Sequence, residues 1–164
     1  MTTVYLGLGS NLGDSGANLS QAIQLLSTSI KQIKQAPVYI SKAVGYSDQP
    51  DFWNTAIGGE TDLSPTELLD FTQQIEQQVG RIASFHWGPR EIDIDIIFYG
   101  DQVIETDKLI IPHSHFATRD FVLQPLLDLN PQLTDPLRGT TVSQLLDQLE
   151  PNQRSILNRV DEKP

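Results

Sequence analysis

Cysteine is absent from this 164-residue chain. That excludes disulfides, thiolate metal sites and a cysteine nucleophile, and leaves oxygen and imidazole as the available ligands. Basic residues are scarce, 11 against 21 acidic ones for a net charge of −10, a sign that opposes nonspecific attraction to nucleic acid or anionic lipid. No apolar run is long enough to span a bilayer, and no basic stretch leads into an apolar block at the N-terminus. A cytoplasmic protein with neither membrane nor nucleic-acid partners is therefore expected. No Gly-Lys-Ser/Thr occurs, and the run Gly7-Leu8-Gly9-Ser10-Asn11-Leu12-Gly13 spaces its glycines by two and four where a dinucleotide fingerprint needs two and three. Turn geometry accounts for these glycines better. Any bound anion must be held locally, by cations such as Arg81, Arg90, Lys108 and Arg119.

What is present is a dense segment, His86-Trp87-Gly88-Pro89-Arg90-Glu91-Ile92-Asp93-Ile94-Asp95-Ile96-Ile97. Strand side chains alternate faces, so Ile92, Ile94 and Ile96 share one face while Asp93 and Asp95 stand on the other, roughly 7 Å apart at the backbone. Like charges on one strand face repel unless a cation lies between them, and oxygen ligands point to Mg²⁺. The bland alternative is an edge strand with a solvated polar face. Trp87 and Arg90 beside the acids favour a phosphate site, because Mg²⁺ shares its coordination with phosphate oxygens and arginine grips those oxygens bidentately.

Hydrophobic periodicity outlines the rest. Val4 to Leu8 alternates as a strand, and Leu19, Ala22, Ile23, Leu26, Ile30 and Ile33 form a helical stripe from about Asn18 to Lys34. Val38 to Ser41 and Phe52 to Thr61 are expected strands, the second weakened by Gly58 and Gly59, with a polar loop over Gly45 to Asp51. Ser64-Pro65-Thr66-Glu67 is a capping box with proline at the first helical position, and Gly80 sits where a left-handed cap belongs. Gln73 and Glu76 lie off that helix's buried stripe, within reach of a ligand. Arg81 to Glu91 is expected as a loop and Asp93 to Tyr99 as a strand, with Gly100-Asp101 turning into a hairpin with Val103-Ile104. Short helices are expected at Phe121 to Leu129 and Val142 to Leu149, and residues 151–164 are a mostly polar tail. The order predicts one α+β domain over residues 1–164, a ferredoxin-like α/β sandwich with a mostly antiparallel sheet and helices on one face, expected to act as a monomer.

Aromatic residues are few, 7% of the chain. Phe52, Trp53, Trp87 and Phe121 lie near polar residues and are candidates to stack a planar heterocycle, with Asn54 reading its edge, although core packing is the commoner role. His113-Ser114-His115 has spacing suitable for a transition-metal pair, for one histidine donating to phosphate, or for two loop histidines.

The dodecapeptide, together with Gly9-Ser10-Asn11-Leu12-Gly13, Gln49-Pro50-Asp51-Phe52-Trp53-Asn54 and Pro112-His113, resembles the 6-hydroxymethyl-7,8-dihydropterin pyrophosphokinases of folate biosynthesis. The resemblance covers nearly the whole chain. It implies transfer of diphosphate from ATP to the pterin hydroxymethyl group, with two Mg²⁺ ions on Asp93 and Asp95 and catalytic roles for Arg81 and Arg90. It implies a pterin site of Ser41, Val44, Phe52, Asn54, Trp87 and Phe121, and an ATP site of Gln73, Glu76, Ile96, Lys108, His113 and Arg119. Lys42-Ala43 stands where that family has a proline-rich stretch, His86 where a basic residue is usual, and the loop from Arg81 to Trp87 is short. On the residues alone, another metal-dependent phosphotransferase and a noncatalytic cation-binding module remain open.

Overall fold

The computed structural model describes residues 1–44, 48–80 and 90–160. A sheet of antiparallel strands runs in the order β5-β1-β4-β3-β8, where β1 is Thr2–Ser10, β3 Tyr39–Ser41, β4 Phe52–Thr61, β5 Asp93–Tyr99 and β8 Ile156–Arg159. Strand β2, Lys31–Gln35, also pairs with β4, and β6, Ile104–Glu105, pairs with β7, Ile110–Ile111, in a separate ribbon. Helices α1, Ser15–Leu26, and α2, Pro65–Val79, cover one face of the sheet. Helices α3, Asp120–Leu129, and α4, Val142–Asp147, cover part of the other. The α+β class and the antiparallel sheet agree with the sequence, but the helices occupy both faces rather than one.

Two cores follow from that layering. Val4, Leu6, Leu8, Ile92, Ile94 and Ile96 pack against Leu19, Leu26, Leu68 and Ile75 of α1 and α2. Ile97, Phe98 and Phe116 pack against Leu123, Leu126 and Val142. A register shift between Tyr5 and Leu6 places Tyr5 opposite Phe98 and Leu6 opposite Ile96, leaving Ile97 as the extra residue. That bulge reverses the alternation, so the face carrying Asp93 and Asp95 becomes apolar at Ile97 and Phe98. Ile92, Ile94 and Ile96 are at most 5% exposed. Burying each contributes about 1.5–3 kcal/mol, whereas two carboxylates roughly 7 Å apart in a wet cleft repel by about 1 kcal/mol. The apolar face wins, and the acids are carried at small cost.

Helix α2 begins as its capping box requires: the Ser64 Oγ accepts from the Glu67 N–H at 3.2 Å, and the Glu67 carboxylate accepts from the Ser64 N–H at 2.8 Å. The Ser64 N–H, and after it the Ser64 hydroxyl, hold the Glu67 carboxyl below its usual pKa. Gly80 closes the helix at φ 105°. Ser64→Ala is expected to lower stability by about 1 kcal/mol, read as a fall in the urea midpoint at unchanged slope.

The helix expected to reach Lys34 instead ends at Leu26. Ser27 Oγ donates to the Gln24 carbonyl at 2.6 Å and Thr28 Oγ1 to the Leu25 carbonyl at 2.7 Å, so hydroxyls take over the last helical acceptors. The chain then turns into β2 along the edge of β4. The approach is close enough that a Cβ on Gly59 would lie 2.6 Å from Ile30 Cγ2 and 2.9 Å from the Lys31 carbonyl oxygen. Gly59, read from sequence as a weakness of β4, is what admits β2.

Gly100 turns the chain as expected, at φ 55°, but no hairpin returns onto β5. The outer edge of β5 is already used: the Ile94 N–H donates to Glu76 Oε2 at 2.8 Å and the Ile97 carbonyl accepts from the His113 N–H at 3.2 Å. Within the tail expected from sequence, Ile156–Arg159 form β8, which extends the main sheet beyond β3.

Candidate functional site

Beyond the edge of α3, the sheet face bearing the acids is open. Asp93 lies opposite Gly9 and Asp95 opposite Gly7 across the β5–β1 pairing, while Gly9 lies opposite Asn54 across β1–β4. Residues directly opposite share a face, so two glycines form a floor between the acids and Asn54. A Cβ on Gly9 would stand 2.9 Å from Asn54 Oδ1 and 3.5 Å from the Phe52 ring. The hollow is a cavity of about 330 Å³, lined on its acidic side by Asp93, Asp95, Arg90, His113 and Arg119 and on its other side by Ser41, Val44, Phe52, Asn54 and Phe121.

At the second end, Asn54 is 5% exposed and donates from Nδ2 to Ser41 Oγ at 2.7 Å. That bond fixes the amide and leaves its oxygen beside the glycine floor. Phe52 and Phe121 are half-buried on the walls. Trp53, next in the strand, faces the opposite side and packs with the α1 core, where its ring would meet a Cβ on Gly16 at 3.3 Å. Period two thus separates the candidate stacking residue from the core one.

At the first end, His113 Nε2 lies 3.7 Å from Asp95 Oδ2. His113 Nδ1 accepts from the His115 N–H at 3.2 Å, so the neutral ring carries its proton on Nε2 and aims it into the cavity. Burial, aided by Arg119, pushes the His113 pKa down to about 4 despite the opposing pull of Asp93. His113 is therefore a neutral donor at pH 7. Burial also lowers the Arg119 pKa, against the attraction of Asp95 and Asp93; guanidinium keeps its proton regardless. Its carbon sits 5.8 Å from the centre of the Phe121 ring.

No three His, Asp or Glu side chains converge as a metal cage among the described residues. Asp93 and Asp95 are the carboxylates of the cavity, which suits Mg²⁺, an ion that takes one or two protein carboxylates and completes its octahedron with water and substrate phosphate. The donor set fits that ion better than a transition metal, because His113 Nδ1 is already engaged and His115 is exposed.

Ten of the candidate residues therefore meet in one cavity: Ser41, Val44, Phe52, Asn54, Arg90, Asp93, Asp95, His113, Arg119 and Phe121. Four lie elsewhere. Gln73 is exposed on α2, and Glu76, expected beside it, is 7% exposed with its carboxylate on the Ile94 N–H between the two acids. Ile96 turns its side chain into the α1–α2 core, and Lys108 is exposed between β6 and β7. Arg81, His86 and Trp87 fall outside the described residues, as do Gly45 to Ser47.

One participant escaped the sequence. Asn11 is 4% exposed; its Nδ2 donates to Gln49 Oε1 at 2.8 Å and the Pro50 carbonyl at 2.9 Å, and its Oδ1 accepts from the Arg90 N–H at 2.8 Å. It clips the segments that lead into Phe52 and into Asp93. Its only sequence signal is an asparagine within a glycine-bracketed turn.

Known proteins are similar to this chain in sequence and fold. Residues 5–131 match the model of the 7,8-dihydro-6-hydroxymethylpterin-pyrophosphokinase (HPPK) family. The chain is 45% identical over 137 residues to the 2-amino-4-hydroxy-6-hydroxymethyldihydropteridine pyrophosphokinase of Aquifex aeolicus, covering 84% of this chain and 86% of that protein. It is 40% identical over 147 residues to the folic acid synthesis protein fol1 of Pneumocystis carinii, covering 89% of this chain but 20% of that longer protein. In fold it superposes on a crystal structure of Plasmodium falciparum HPPK-DHPS with a TM-score of 0.73 at 15% identity, over 90% of this chain and 43% of that one. The matched family and the Aquifex relative, with the acids, glycine floor and asparagine in one hollow, establish that this chain belongs to the 7,8-dihydro-6-hydroxymethylpterin-pyrophosphokinase family.

Proposed function

We propose that the cavity seats 6-hydroxymethyl-7,8-dihydropterin at its Asn54 end and the ATP phosphates at its Asp93–Asp95 end, so that the two reactants meet over the glycine floor. The enzyme is an ATP-dependent pyrophosphokinase of folate biosynthesis. The hydroxymethyl oxygen attacks the β-phosphorus of ATP, the bond from that phosphorus to the α-phosphate oxygen breaks, AMP departs, and the hydroxyl proton passes to solvent.

The supporting observation is that one hollow holds both chemistries: carboxylates and cations at one end, an oriented amide between aromatic walls at the other. Asp93 and Asp95 would hold two Mg²⁺ ions, which supply charge neutralisation for the phosphates and favour ionisation of the attacking hydroxyl. Arg90, Arg119 and the Nε2–H of His113 would donate to phosphate oxygens as negative charge develops. Phe52 and Phe121 would flank the pterin, Asn54 would pair with its edge, and Ser41 and Val44 would add backbone contacts. Gln73, Glu76, the Ile96 backbone and Lys108 belong to the proposed nucleotide end, beyond the outer edge of β5. Arg81 and Trp87 are proposed to close over the reactants.

The deciding experiment follows product from ATP with Mg²⁺ present. AMP formed only when hydroxymethyl-dihydropterin is added supports the assignment; ADP as product, or AMP formation indifferent to the pterin, overturns it. A finer test is Gly9→Ala. Its methyl group would stand 2.9 Å from Asn54 Oδ1, so the pterin KM is expected to rise about tenfold while kcat changes less.

A further inference from the structure

The chain beyond residue 131, where the family match stops, returns to the cavity wall. Asp120 opens α3 between Arg119 and Phe121, yet points away from the hollow and is 4% exposed. Its Oδ2 accepts from the Ser155 N–H at 2.9 Å and the Ile156 N–H at 3.0 Å, and its Oδ1 accepts from Ser155 Oγ at 2.9 Å. The Ser155 carbonyl in turn accepts from the Lys42 N–H at 3.0 Å, and Ile156 lies opposite Ser41 in the β3–β8 pairing. Ser41 Oγ is the acceptor that orients Asn54. One carboxylate thus links the start of α3, which carries Phe121, to the strand that carries Ser41, through β8.

Resting on the assignment of the Asn54 end to the pterin, we propose that Asp120 is a positioning residue for pterin binding: by fastening β8 it sets the spacing between Phe121 and the Ser41–Asn54 pair. Among the described residues a second hydrogen bond between α3 and β3, from the Tyr39 hydroxyl to Asp128, lies roughly 12 Å further along the helix. At the cavity end the hydrogen-bonded tie from α3 to β3, added to the packing of α3 on β4, is the one Asp120 makes through β8. An acceptor is what the site requires, and a full charge is not. Asparagine at this position keeps an oxygen for both backbone N–H groups and turns its amide N–H toward Ser155 Oγ, which can accept. Alanine keeps none of the three bonds.

The test is a set of steady-state measurements on full-length Asp120→Ala, Asp120→Asn and Ser155→Ala. Asp120→Ala is expected to raise the pterin KM about tenfold, with the ATP KM and kcat held within about threefold, and Asp120→Asn to restore both KM values to within about twofold of the parent. Equal rises in both KM values, an unchanged pterin KM with only a lowered melting temperature, or no rescue by asparagine overturns the proposal. Should Asp120→Ala fail to fold, Ser155→Ala decides: it loses one of the three bonds, so a selective rise in pterin KM of about twofold to threefold supports the idea and an unchanged value defeats it. Parent enzyme that forms no pterin-dependent AMP would instead sink the assignment of function, a separable result.

Discussion

Asp95→Ala is expected to lower kcat by at least about a thousandfold while leaving the fold intact, because stabilising charge as it develops is the largest single term in this kind of transfer. The side chain is 35% exposed and faces His113 at 3.7 Å. Removing it deletes one member of a like-charged pair but also the partner of a neutral imidazole. These effects oppose each other, and at a wet site both are small, so thermal stability should move by less than about 1 kcal/mol. Activity and stability are thereby uncoupled, which distinguishes a ligand from a structural acid.

Asp95→Asn sharpens the comparison. It preserves shape but leaves one neutral amide oxygen where a hard cation had a carboxylate, and it should also lose most of the activity. Varying Mg²⁺ separates two explanations: if the acid serves as a cation ligand, the Mg²⁺ concentration for half-maximal rate rises in the variant, whereas a purely positional defect lowers the plateau alone. Retention of more than a tenth of parental turnover by Asp95→Ala would overturn its role.

The elements legible in the sequence are those whose causes are local. Helix α2 runs from its Ser64 cap to Gly80 as expected because both signals act within four residues. Strands β4 and β5 have the expected limits because alternation and flanking turns mark them. Ile30 and Ile33 misled because their spacing suits a helical stripe, while the Ser27 and Thr28 hydroxyls end the helix before it reaches them. Strand β8, Ile-Leu-Asn-Arg, is exposed along Leu157 to Arg159 and places its two apolar residues side by side, so no alternation marks it; it forms because β3 offers an open edge and Asp120 holds its start. The acids were legible since two aspartates on one face of an isoleucine-rich strand are uncommon, aspartate being depleted in strands. Glu76 was not, because an acceptor for the Ile94 N–H is needed only once β5 becomes an edge. Asn11 and Asp120 were hidden for a related reason: their partners lie 38 to 79 and about 35 residues away in the chain.

Asn11→Ala carries the second large effect. The asparagine uses both amide hydrogens on the Gln49–Pro50 segment and its oxygen on Arg90, and its own N–H donates to the Arg90 carbonyl at 3.0 Å. Truncation leaves the half-buried Arg90 N–H and the exposed Pro50 carbonyl without that partner, at a cost of about 1 kcal/mol in stability. The functional loss should be greater. Phe52 follows Pro50 by two residues and Asp93 follows Arg90 by three, so releasing the clip lets the stacking wall and the metal-binding acids drift independently. A displacement of about 1 Å is enough to cost about a hundredfold in kcat/KM, and because both ends of the cavity are affected the loss should appear in the KM of each substrate as well as in kcat. Asn11→Asp isolates the cause. It keeps an acceptor for the Arg90 N–H but puts a carboxylate oxygen against the Pro50 carbonyl, so the Arg90 side stays anchored while the Phe52 side is pushed away. The pterin KM should then rise more than the ATP KM, unlike the balanced defect of Asn11→Ala. Equal behaviour of the two variants, or an Asn11→Ala enzyme within threefold of the parent, would show that the segments hold their positions without the clip.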